Sequence, residues 1–354
     1  MDTELENIRT ILVRSTNWLG DAVMTTPAMR AIRESFPGAR ITVLANPVVA
    51  PLFEHHGAVD EILVYDRKGA HAGVGGRLRM AAELRQRRFD LAILLQNAID
   101  AAFITWLARI PRRMGYRTDG RGLFLTHGVP VEEGTRRLHH VEYYLAMLDR
   151  FSIATKDRRL SLATTPAEDA AMAARLREEG IGEGELLLGI NPGASYGSAK
   201  RWYPERFAAV ADCLADRWGA KVVITGGPGE AGIAADIAAA MKSPSLVMAG
   251  RTTVREMMAL IGRCGFFVTN DSGPMHIAAA FGVPLVAVFG PTDHTNTSPW
   301  TDRAAIVRSE TDCAPCLKRE CPTDHRCMMA VTVEMVVEAA EGLRTRLAGK
   351  GDKA

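Results

Sequence analysis

The sequence lacks any uninterrupted apolar run long enough to cross a bilayer. Its most apolar window, Leu91 to Ile110, is broken by Gln96, Asn97 and Asp100, and predicts a buried strand followed by a helix. No secretory leader is expected, because Met1-Asp-Thr-Glu-Leu-Glu is acidic where a basic and then greasy stretch would stand. Residence in the cytosol is therefore the expectation, with any membrane met from its surface. Charge of one sign is lacking too: 43 Lys and Arg against 41 Asp and Glu leave +2, which gives no overall drive toward nucleic acid. The P-loop pattern G-x-x-x-x-G-K-[ST] is absent, which excludes a P-loop NTPase. No two aspartates stand two residues apart, so the Asp-x-Asp device for chelating a metal–nucleotide is missing. Charge on a leaving group would then fall to lysine, histidine and helix N–H groups. No internal repeat or low-complexity tract stands out.

What is present is a soluble globular balance, 47% apolar and 24% charged residues, in a 354-residue chain that suits two domains better than one. Charge is unevenly spread. Residues 1–165 hold 23 Lys and Arg against 18 Asp and Glu, whereas the remainder holds 20 against 23. The excess gathers in arginine clusters at Arg77–Arg88, Arg109–Arg121 and Arg136–Arg137. These are either solvated helix faces or a surface for an anionic substrate or lipid headgroups, to which the arginine fork is suited.

Short apolar runs alternate with helix-length amphipathic stretches. Strands are predicted at Arg9–Val13, Ile41–Ala45, Glu61–Val64 and Asp90–Leu95, then at Leu186–Ile190, Lys221–Thr225, Leu246–Met248, Phe266–Thr269 and Pro284–Phe289. Because these runs are apolar throughout, they fit parallel strands covered on both faces, hence doubly wound α/β sheets. A Rossmann-like N-terminal domain is predicted over 1–165 and a second over 186–330, with a linker at about 152–185 and a helix and tail over 331–354. Ligands in such folds bind at the carboxyl ends of the strands, so a cleft between the two sheets is expected to hold the site.

Four stretches carry candidate chemistry. In Asn17-Trp-Leu-Gly-Asp21-Ala-Val-Met-Thr-Thr-Pro27, Asp21 either caps a helix or acts as a general base. Gly193-Ala-Ser195-Tyr-Gly197 matches the G-x-S-x-G elbow of serine hydrolases, with Asp271 and His276 following in that fold's order. Several residues nevertheless separate it from the next helix, and with Lys200 it could equally line a phosphate site. Gly227-Pro-Gly229-Glu-Ala-Gly232 has dinucleotide spacing, but Arg251 stands near where an acid should hold the ribose, leaving only an NADP oxidoreductase open. Thr269-Asn-Asp271-Ser272-Gly273-Pro-Met-His276 reads as a strand end and a helix start capped by Asp271 or Ser272, a ready diphosphate site.

Together these blocks, with Lys200-Arg-Trp202, resemble the ADP-heptose:lipopolysaccharide heptosyltransferases, inverting glycosyltransferases of family 9 that need no metal and have the two-domain GT-B fold. The resemblance runs from Ile8 to about Leu343, and Asn17-Trp18 with the cysteines is most similar to the type II members, which add the second heptose to the inner core. It implies an ADP-heptose donor and an anionic heptosyl-Kdo2-lipid A acceptor met at the cytoplasmic face of the inner membrane; type I or III acceptors stay open. It also implies that Asp21 is the general base and that Lys200 neutralises the departing diphosphate with Ser195, Ser272, Gly273 and His276. Glu230 would hold the ribose, Met248 would line the adenine pocket, and Asp271 would order the helix start. No cofactor is implied for catalysis. Cys313-x2-Cys316-x4-Cys321-x5-Cys327 leaves two readings, a structural zinc or an ordered reduced loop.

Overall fold

The computed structural model describes Leu5 and residues 7–351. Most of the acidic N-terminal stretch (residues 1–4 and Glu6) and the last three residues of the tail lie outside them. The chain divides into two compact units, residues 1–163 and 164–354. Each holds one six-stranded sheet, and every strand pair in both is parallel.

In unit 1 the strands are β1 (Thr10–Arg14), β2 (Arg40–Ala45), β3 (Glu61–Val64), β4 (Leu91–Leu94), β5 (Arg112–Tyr116) and β6 (His127–Val129), ordered β3-β2-β1-β4-β5-β6. Unit 2 has β7 (Leu187–Asn191), β8 (Lys221–Ile224), β9 (Ser245–Val247), β10 (Phe266–Asn270), β11 (Leu285–Val288) and β12 (Ala304–Val307), ordered β12-β11-β10-β7-β8-β9. Both are the doubly wound order, in which the chain runs outward one way and then returns to the middle to run the other way. The reversal falls between β1 and β4 in one unit and between β7 and β10 in the other, the place where such folds bind their ligands.

All nine expected strands form. The sequence reading missed β5, β6 and β12. β5 opens with Arg112-Arg113, β6 is three residues long, and β12 begins with two alanines, so none presents the apolar run that marks β1 or β11. The central strands are buried along their length, and the C-terminal helix Val333–Gly351 packs on β11, β12 and the helix Pro204–Trp218, closing one face of unit 2. Unit 2 opens with a capping box, Thr165 and Glu168 satisfying each other's backbone, before the helix Pro166–Glu178. Glu168 also holds Arg255 at 2.5 Å, pinning that helix to Val254–Gly262. No helix among the described residues is long and apolar enough to cross a membrane.

Unit 1 carries a titratable core residue. His56 is buried, accepts from Ala58 N–H at Nδ1 and therefore donates from Nε2 to Ser161 Oγ. Burial, reinforced by Arg30, pushes its pKa down to about 4 from 6.5. The neutral ring is compatible with the fold, whereas the unfolded chain takes up a proton below about 6.5. Stability is therefore complete above that pH and falls by up to about 3 kcal/mol as pH drops to 4. Urea unfolding across this window should show the slope, and His56→Gln should flatten it.

Candidate functional site

In unit 1 the chain leaves β1 through Ser15-Thr16-Asn17-Trp18 and enters the short helix Leu19–Met24, which sets Asp21 in its first turn at the β1/β4 reversal. Asp21 is not an N-cap. Trp18 occupies that position and no side chain caps the helix. Its carboxylate instead stands 3.4 Å from His140 Nδ1, and both side chains are about one-third exposed. That nitrogen is buried and not aligned for a hydrogen bond, a loose geometry of the sort that tightens when substrate arrives. His140 begins the helix His140–Asp149, reached only after β6, so nothing near Asp21 in the sequence pointed to it.

The β4 end contributes a polar network. Buried Arg121 donates to the carbonyls of Tyr116 and Gln96 and to Asn97 Oδ1, and Asn97 Nδ2 donates to Tyr143 Oη at 2.8 Å. Tyr143 lies one turn beyond His140. Arg14 is likewise buried, bonded to the carbonyls of Ser15 and Leu44 and to Asn17 Oδ1. Burial lowers both guanidinium pKa values to about 10, and both stay charged at neutral pH. Arg121, grouped by sequence with surface arginines, is thus an internal strut: satisfied carbonyl acceptors compensate its burial.

Unit 2 assembles its candidates at the β7/β10 reversal. Asn191, the last residue of β7, donates to Thr269 Oγ1 and Ser272 Oγ, and Asn270 bridges Trp202 N–H and the Pro192 carbonyl. These buried amides tie the two strand ends together. Ser272 is the N-cap of the helix Gly273–Ala280, so its first N–H groups and positive dipole end lie beside the strand ends. His276 is buried one turn in.

Asp271 does not cap this helix. It is 5% exposed, and its Oδ2 accepts from Lys200 Nζ and Thr292 Oγ1, both at 2.6 Å. The sequence brings Lys200 there by a loop braced from behind. Arg319 O accepts from Ala199 N–H, Leu317 O accepts from Tyr196 Oη, and His325 Nε2 donates to Ala199 O at 2.7 Å. Lys200 and Arg319 both lie over the Tyr196 ring, at 5.0 and 5.2 Å from its centre. Gly197 makes the bracing possible, because a Cβ there would stand 2.2 Å from Arg319 O.

Glu230 ends a 3-10 turn, Pro228–Glu230, after β8. Its Oε2 accepts from Gly227 N–H, and a Cβ at Gly193 would stand 2.0 Å from Oε1, so the glycine admits the carboxylate to the β7 loop. Ser195 is exposed on that loop, and Met248 is fully buried just after β9. Gly193, Lys200, Glu230, Asp271 and Ser272 therefore gather around one set of strand ends.

The segment bracing the lysine loop carries the four clustered cysteines, all free thiols. Among the described residues no three His, Cys, Asp or Glu side chains are arranged to hold a metal ion. Burial, with Cys313 nearby, raises the Cys327 thiol to about 11, while N–H and hydroxyl donors from Thr323 lower that of Cys321.

A family model for glycosyltransferase family 9 (heptosyltransferase) matches residues 77–326. The chain belongs to glycosyltransferase family 9. Lipooligosaccharide heptosyltransferase 2 of Campylobacter jejuni is 30% identical over 95% of this chain and 99% of its own. Among solved structures, a family 9 glycosyl transferase of Veillonella parvula superposes with a TM-score of 0.86 at 26% identity, covering 95% of this chain and 97% of that one. Escherichia coli ADP-heptose lps heptosyltransferase II gives 0.82 at 27%, covering 96% and 99%. The protein is a glycosyltransferase, and its paired doubly wound sheets are those of the GT-B fold.

The two rival chemistries have no footing in this family 9 chain. Ser195 stands on a loop, with a 3-10 turn at Ser198–Lys200 before the next helix at Pro204, so no elbow forms, and Asp271 is engaged by Lys200. Arg251, the group that left NADP open, is tied to Glu179 at 2.9 Å and to the Val247 carbonyl.

Proposed function

We propose that this chain transfers L-glycero-D-manno-heptose from ADP-heptose to the heptosyl-Kdo2-lipid A inner core of lipopolysaccharide, with inversion and without a metal. The observation that carries the reading is Lys200, buried to 13% exposure and held by Asp271 beside the start of the helix Gly273–Ala280. An ammonium has three donors, and Asp271 uses one, so two remain for a diphosphate that the helix N–H groups also receive. As ADP departs, the developing negative charge meets fixed positive groups, the role a divalent ion would otherwise have.

At the other end of the reaction, Asp21 takes the proton of the acceptor heptose hydroxyl as its oxygen attacks the anomeric carbon. The C–O bond to the β-phosphate breaks on the opposite face, which inverts the centre. His140, 3.4 Å away, keeps the carboxylate aimed. Glu230 would accept from ribose hydroxyls, Ser195, Ser272, Gly273 and His276 would contact phosphate, and Met248 would back the adenine. The acceptor is lipid-anchored, so the reaction belongs on the cytoplasmic face of the inner membrane.

The test is heptose transfer from ADP-heptose to Kdo2-lipid A acceptors with and without one heptose, run with and without EDTA. Transfer only to the monoheptosylated acceptor, undiminished by EDTA, is expected. Transfer only to the heptose-free acceptor would make the chain a type I enzyme, and a requirement for added metal would overturn the lysine-based mechanism.

A further inference from the structure

A second surface of unit 1 takes no part in this chemistry. The helices Gly73–Gln86 and Ile99–Leu107 lie side by side, with the 3-10 turn Arg121–Phe124 packed against the second. A surface helix ordinarily keeps its apolar stripe inward. Here Val74, Leu78 and Ala82, spaced four apart, form an outward stripe, with Val74 70% exposed. On the turn packed against the second helix, Leu123 is 90% exposed, and Trp106 on that helix is half exposed. The Trp106 ring packs with Phe103 at 5.8 Å and Phe124 at 5.5 Å between centres, and those two pack with each other at 5.4 Å, so this is a preformed apolar platform. Between the helices lies a hollow of about 570 Å³ lined by Leu78, Ala81, Ala82 and Leu107 together with Arg85 and Arg88.

Charge selects the partner. Residues 67–124 hold twelve Lys and Arg against four Asp and Glu. Three of those acids are committed: Asp100 to Arg67 and Arg77, Glu83 to Arg87, and Asp90 to Thr10 and the Arg9 N–H. Arg85, Arg88 and Arg109 are exposed and, among the described residues, meet no carboxylate. An exposed tryptophan and leucine flanked by uncommitted arginines match a headgroup layer, apolar toward the acyl boundary and cationic toward phosphate.

We propose that this face docks on an anionic phospholipid surface, with Leu123 and Trp106 entering the headgroup–acyl boundary while Arg85, Arg88 and Arg109 pair with lipid phosphates. Its biological sense rests on the lipid-linked acceptor proposed above, but its measurement does not. Full-length protein should sediment with phosphatidylethanolamine–phosphatidylglycerol vesicles and much less with phosphatidylcholine vesicles, and added salt should weaken the association. Leu123→Ser, at a fully solvated position, should weaken it several-fold without lowering Tm. Neutralising the three arginines to glutamine should weaken it roughly fivefold per charge removed. Transfer to a deacylated, water-soluble acceptor should be the same for parent and variants, so failure of docking is distinguishable from failure of the functional reading. No sedimentation of the parent, or sedimentation indifferent to both sets of substitutions, would overturn the proposal. So would a dimer in sedimentation velocity that Leu123→Ser dissociates, since the platform would then be covered by a second copy.

Discussion

Asp21→Ala is expected to reduce heptose transfer by roughly 10²–10⁴-fold, the range of a positioned general base, while leaving ADP affinity unchanged. The expectation follows from where the carboxylate sits. It lies in the first turn of Leu19–Met24 at the β1/β4 reversal, among the described residues its only acidic–basic contact is His140 at 3.4 Å, and the helix N-cap is Trp18. Its loss should therefore cost under about 1 kcal/mol of stability, the helix-dipole contribution of a partly exposed acid. Asp21→Asn keeps the shape and removes only the basicity, so it should be equally inactive. Transfer rates at saturating donor, with ADP titration by calorimetry, check both halves. Near-normal transfer by either variant would remove Asp21 from the base role, and lost ADP binding would move it into the donor site.

Lys200→Met is expected to damage both measurements, lowering transfer by roughly 10²–10³-fold and weakening ADP. This variant has a complication the fold makes explicit. It strands Asp271, a 5% exposed carboxylate, without its ammonium partner, and breaking a buried pair in this way destabilises by about 3–5 kcal/mol. The double variant Lys200→Met/Asp271→Asn separates the two effects. It replaces the charged pair by neutral groups, and Thr292 can still donate to the amide oxygen. Its Tm should return toward that of the parent while its activity stays lost. Recovery of transfer in the double variant would mean that Lys200 serves only to neutralise Asp271.

Both predictions start from residues that the sequence made visible, and their details come from contacts it did not. Asp21, Lys200 and Asp271 stood out because each sits in a glycine-containing stretch directly after a strand-like run, where a doubly wound fold exposes its loops. His140 did not stand out, being separated from Asp21 by most of unit 1 and lying at the start of an ordinary amphipathic helix. The cysteine stretch drew attention for its spacing, as a candidate metal ligand set. It braces the lysine loop through the carbonyls of Arg319 and Leu317 and the His325 side chain, and each of these bonds has a backbone carbonyl as acceptor, which leaves no trace in residue type. Arg14 and Arg121 show the same limit from the other side. Arginine is normally a surface residue, and the backbone carbonyls and the Asn17 and Asn97 side chains that converge on these two compensate their burial.

The sequence by itself determined the class of fold, nine of the twelve strands and the stretches that carry the chemistry, because these depend on local patterns: continuous apolar runs, glycine turns and helix-start residues. The edge strands β6 and β12, the pairing of Lys200 with Asp271, the approach of His140 to Asp21 and the exposed platform around Leu123 were decided by tertiary structure alone. Each depends on which distant segments the parallel crossovers bring side by side. In a sheet ordered β3-β2-β1-β4-β5-β6, neighbours in space are set by the direction of winding, not by proximity along the chain.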